Sequence, residues 1–207
     1  MFEITFDAIR ALAPAVMAII AFAALRNWRR QDKAKRELEF LDALVDAVHA
    51  NIVVMHGPIT LLGFARIGME SHAPPGSEEQ AGISVEGAIA YIHKDGERQA
   101  KRMLEALEAV RPSIVKLKSL AAKGQVFNFH GYAKCRDAVT MLTWQFDRIE
   151  AFTAVIGSPS WNWEHPKVLK NLTDVIAIDP EDIRNGLAEN NVAVLEFMGE
   201  KYKHLYG

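Results

Sequence analysis

The sequence predicts an all-α protein: an N-terminal single transmembrane helix followed by an antiparallel helical bundle of about four to six helices. Three observations predict it. Residues 11–25 form an uncharged, alanine-rich run. Beyond a basic cluster, apolar residues recur at steps of three and four. No stretch of useful length alternates in the two-residue rhythm of a strand. The expected division is a tail and transmembrane helix over 1–25, a basic juxtamembrane segment over 26–36 and a cytoplasmic helical domain over 37–207.

The run ALAPAVMAIIAFAAL is short for its role. Fifteen residues rise about 22 Å, against a hydrocarbon core of about 30 Å. Extension back to Ile4 supplies the length but takes in Asp7 and Arg10, which stand three apart and can pair near the interface. Pro14 is expected in the first turns, where a missing donor is tolerated. Immediately after come Arg26, Trp28, Arg29, Arg30, Lys33, Lys35 and Arg36. Trp28 suits an interfacial position, and the cations place the N-terminus outside and the rest in the cytoplasm. This plan resembles small bacterial membrane proteins, so the expected location is the inner membrane, crossed once. A cleaved signal peptide fits worse, because the first ten residues are net acidic and the basic cluster follows the run. An interfacial helix fits worse too, because the run has little polar face.

The overall charge of −2 hides an asymmetry. Through Arg36 there are seven basic and three acidic residues; the remainder holds 17 basic and 23 acidic. An acidic folded part argues against a nucleic-acid partner. A lone cysteine, Cys135, excludes an internal disulfide framework and fits a reducing compartment.

Leu38, Leu41, Val45, Val48, Ile52, Met55, Ile59 and Leu62 form a seam for a long bundle helix, widened by Phe40, Leu44 and Val54. A partner helix or a second copy could pack beside it. Gly57-Pro58 is expected to kink or break the helix and is the candidate hinge. Residues 47–65 lack full charges over a membrane-spanning length. The 3-4 rhythm nevertheless favours a buried bundle helix over a second span.

A loop is expected over 71–82, and Ser84 can cap the next helix. Its seam runs Val85, Ile89, Ile92, Gly96, Ala100, Met103, Leu107, Val110, Ile114 and Leu117, with a division at Pro112 and a stop at Lys123-Gly124. A helix follows from about Tyr132 to Val155, then a loop over 157–166 and a short helix around 168–176. Asp179-Pro180-Glu181-Asp182 opens the last helix as N-cap, first-turn proline and acids at the positive end of the dipole. Its seam is Ile183, Leu187, Val194, Met198 and Leu205, with Asn191 as a candidate register-fixing polar group.

No phosphate loop, Cys-x-x-Cys, His-Glu-x-x-His or Gly-x-Ser-x-Gly occurs. No catalytic residue, metal ligand or cofactor is therefore assigned. His49 and His56 share a face, but the Glu-x-x-His pattern of helical metal sites is absent. Trp161, Trp163, Glu164 and His165 form a candidate interaction surface, weighed against the tryptophans folding back over the bundle end. Cys135 reads as a buried structural thiol. The expected function is a membrane-anchored interaction or scaffold protein, a subunit of or adaptor for a membrane complex. The alternatives are an oligomeric effector or sensor signalling through Gly57-Pro58, and, third, an enzyme with a helical active site. The expected partners are the lipid bilayer and either a protein or a second copy.

Overall fold

The computed structural model describes the backbone of residues 2–74 and 82–206, with side chains for residues 14, 16–74 and 82–204. The elements are α1 (Phe2–Ser71), α2 (Val85–Tyr91), a π turn (Ile92–Gly96), α3 (Glu97–Phe127), α4 (Tyr132–Ile156), α5 (Pro166–Ile176) and α6 (Pro180–Tyr206). No strand occurs among the described residues.

Four helices close the core in a ring. α1 packs on α3 and α6, and α4 packs on α3 and α6 from the other side. Successive long helices run antiparallel. Ser113 on α3 meets Asn51 on α1, Arg111 on α3 meets Glu150 on α4, and Tyr202 on α6 donates a hydrogen bond to Asp42 on α1. The apolar seams explain this arrangement, because each presents one stripe to the shared centre. Leu41, Leu44, Met55 and Leu62 of α1 are fully buried, as are Met103, Leu107 and Leu117 of α3 and Leu142, Ile149 and Phe152 of α4. Residues 47–65 of α1 therefore owe their apolar character largely to this core.

The α2–α3 seam contains two four-residue steps in succession, Ile92 to Gly96 to Ala100. One extra residue must be absorbed there, and the π turn Ile92–Gly96 absorbs it. Gly96 is required at that point, because a Cβ would overlap the Ile156 carbonyl at the end of α4.

The start signals act as expected. Ser84 Oγ accepts from Gly87 N–H at 3.0 Å, and Asp179 Oδ1 accepts from Glu181 N–H at 2.7 Å. The stop at Lys123-Gly124 does not, and neither Gly57-Pro58 nor Pro112 breaks its helix. α1 continues through Gly57-Pro58 and α3 through Pro112. Proline removes one donor in each case, but the carbonyls left over belong to exposed Val54 and Glu108, where water replaces the bond. Pro14 also lies within α1 rather than in its first turn. α3 passes Gly124 and ends at Asn128, whose φ of 51° and ψ of 42° supply the left-handed stop. Val54 is exposed rather than part of the buried stripe.

An aromatic plug closes the end of the bundle from which α1 emerges. Phe40, Phe127, Phe129, Tyr132 and Phe197 come from four elements and a turn, with ring centroids 5.0–6.4 Å apart. At the other end, Arg66 Nη1 donates to the carbonyls of Ile176 at 2.6 Å and Ile178 at 2.8 Å. A cation there meets the negative end of the α5 dipole and ties α1 to it.

Candidate functional site

α1 is one unbroken helix of 70 residues, about 105 Å long. The bundle covers only its second half. None of residues 16–36 is buried, whereas Glu37, Phe40 and Leu41 are. The first part of this uncovered segment, residues 16–25, is apolar on every side: Val16, Met17, Ile19, Ile20, Phe22 and Leu25 are all exposed, Phe22 to 69%. Its backbone is helical from Phe2, so residues 2–25 span about 36 Å and remove the shortfall of the fifteen-residue run. The expected Asp7–Arg10 side-chain pair lies outside the described residues.

By length and composition α1 is long and apolar enough to cross a membrane. The eighteen-residue stretch of 16–71 that qualifies is one-third buried, which places it in the bundle half, since residues 16–36 contribute no burial. The uncovered N-terminal part thus stands on a separate observation, its all-round apolar exposure.

The basic segment divides in two. Lys33 pairs with Glu37 at 3.6 Å, Lys35 with Glu39 at 3.9 Å and Arg36 with Asp32 at 2.9 Å, each within one turn of α1. Arg26, Arg29 and Arg30 have no carboxylate within ion-pair distance among the described residues. With Lys33 they line one shallow groove whose apolar edge is Phe22 and Leu25. Trp28 is exposed on the opposite side of the helix.

The other candidates separate. Trp163 is buried to 9% exposure and packs in the bundle end, while Trp161, 6.0 Å from it between ring centroids, keeps 39%. Only one of the two tryptophans folds back as expected. His165 serves as N-cap of α5, its Nδ1 accepting from Lys167 N–H at 3.3 Å, and Glu164 is exposed beside it. Gly57 is exposed and Pro58 buried within continuous helix. His49 and His56 are both exposed, and no group of three or more metal-ligating side chains occurs among the described residues.

Cys135 is fully buried, and burial pushes its thiol up to about 12, so it is held as a neutral core group. Asn191 is half-buried and lines a cleft of about 320 Å³ between α1 and α6 with Asp46, His49 and Leu195. The buried polar contact across the bundle is made by Asn51 instead. Its Oδ1 accepts from Ser113 Oγ at 3.3 Å, and its Nδ2 has no partner among the described residues. Sequence spacing pointed to Asn191 because it lies on the inward arc of α6; Asn51 sits between seam positions of α1.

The Leu38–Leu62 seam lies mostly in the core, with Leu38, Val45 and Ile52 half-buried. A different face of α1 is uncovered. Val53, Phe64 and Ile67 are exposed to 54%, 60% and 61%, and with Gly57 and Thr60 they repeat at four and three residues. No Asp, Glu, Lys or Arg occurs from 47 to 65, so this face carries no full charge apart from a histidine proton. Val53, Phe64 and Ile67 are thus apolar side chains of α1 left outside the core. No protein-family model, curated protein or solved structure matches the chain.

Proposed function

We propose that the chain is a membrane-tethered helical interaction protein. The N-terminal part of α1 crosses the bilayer once with its N-terminus outside, and the bundle lies in the cytoplasm of a bacterial cell. The observation that carries this reading is the uncovered half of α1. A helix that is apolar all round needs an apolar surrounding, and the bundle provides none for residues 16–25. The cations that follow fix the orientation. Tethering concentrates the bundle at the membrane, where a short apolar face suffices for association.

The surface offered to a protein partner is the uncharged face of α1 at Val53, Phe64 and Ile67. A photo-crosslinking amino acid at position 64 tests this in intact membranes, with the exposed Lys116 position as control. An adduct to a second protein from position 64 and none from position 116 is expected. Equal labelling from both positions, or none from either, contradicts the assigned face.

A further inference from the structure

We propose that Arg26, Arg29 and Arg30 form a binding face for the phosphodiester head group of anionic lipid, and that Lys35 and Arg36 after them do not. The inference rests on the membrane reading above and assigns a ligand to one part of the basic segment.

Spacing puts Arg26, Arg29, Arg30 and Lys33 on one side of α1. Phe22 and Leu25 continue that side toward the N-terminus, so the groove passes from apolar to cationic within two turns, as a lipid does from acyl chain to head group. The pairing pattern separates the arginines from their neighbours. Lys35 and Arg36 each have a carboxylate four residues away and lie outside the groove, while Lys33, which lines it, pairs with Glu37. The preceding run contains no acid from residue 11 to 25, so nothing on that side can pair with the arginines. Asp32, three residues beyond Arg29, is held by Arg36 at 2.9 Å. Three guanidiniums thus stand unpaired at the apolar boundary. Guanidinium offers two parallel N–H donors to a phosphate, a geometry the lysine ammonium lacks. Trp28, on the opposite side, is free to hold the helix at the same depth.

Two double variants of equal charge test the assignment. The full chain is reconstituted from detergent into equimolar phosphatidylcholine and phosphatidylglycerol nanodiscs, and the lipids retained on release are counted by native mass spectrometry. The unaltered chain should retain phosphatidylglycerol preferentially. R29Q/R30Q should lower that preference about tenfold, whereas K35Q/R36Q should leave it within about twofold. Equal losses in both variants, or no preference in the unaltered chain, overturn the site. Displacement of the lipid by millimolar inorganic phosphate also overturns it, since the source would then be free phosphate. Carbonate extraction of the same proteins separates the two levels. An extracted unaltered chain overturns the membrane reading and the site together; a retained chain without lipid preference overturns the site alone.

Discussion

Tyr132 closes over Gly124. Its hydroxyl donates to the Ala121 carbonyl at 2.8 Å, and a Cβ on Gly124 would overlap the phenol ring. The contact joins the last turns of α3 to the first turn of α4 across the Asn128–Gly131 connection. The ring cannot yield, because Phe40, Phe129 and Phe197 surround it. Gly124→Ala gains about 1 kcal/mol of helix propensity and loses about 2–3 kcal/mol to overpacking. A net loss of about 1–2 kcal/mol in chemical denaturation is expected. An equal or higher stability would contradict the packing described.

Asn51 is a fully buried polar group of α1, bonded on one side only. Asn51→Asp keeps the shape and adds a charge with no cation to meet it. A loss of about 3 kcal/mol or more at neutral pH is expected in denaturant titration, partly regained on acidification as the carboxyl takes up a proton. A neutral effect would mean that water reaches this position.

Three buried groups set the response to alkali. Burial raises Cys135 from 9.0 to about 12 and, as the first cause in each, Tyr91 and Tyr132 from 10.0 to about 12. Each is neutral in the fold and ionises more readily when unfolded. Their contribution is therefore complete below about pH 9, then falls as pH rises through 9 for the thiol and 10 for the phenols toward 12. Thermal midpoints of Cys135→Ala should begin this decline nearer pH 10. Thiol reagents should label the native chain only as fast as it unfolds; rapid labelling at pH 8 would contradict the burial of Cys135.

Gly57 lies in continuous helix, and a would-be Cβ meets nothing within 4 Å outside its chain neighbours and its own helix backbone. Gly57→Ala should raise stability by less than the usual gain of about 1 kcal/mol, because the new Cβ meets the Pro58 ring; the denaturation midpoint reads it. A loss of about 1 kcal/mol or more would show that crowding against the Pro58 ring outweighs the propensity gain.

Particular residues show what was legible in the sequence. The bundle seams were, because burying one stripe per helix requires 3-4 spacing, and Leu41, Met103, Leu142 and Ile183 all lie in the core as spaced. Helix starts were too, since Ser84 and Asp179 must satisfy orphan N–H groups locally. Helix stops were not. Pro58 and Pro112 leave their unmatched carbonyls on exposed residues, and Gly124 serves a neighbouring ring instead of a left-handed turn. The aromatic plug joins Phe40, Phe127, Phe129, Tyr132 and Phe197, whose partners are distant in sequence. Its one local sign was two phenylalanines astride a short turn. In the basic segment the count of cations was readable, but which of them remain unpaired needed the helix geometry.

The uncovered half of α1 is tested most directly by alkaline carbonate extraction of membranes from cells expressing the full chain or a chain lacking residues 2–25. The full chain is expected to stay in the membrane pellet. The shortened chain should appear in the soluble fraction with the helicity and thermal midpoint of an intact bundle. Release of the full chain by carbonate would contradict a membrane-spanning α1.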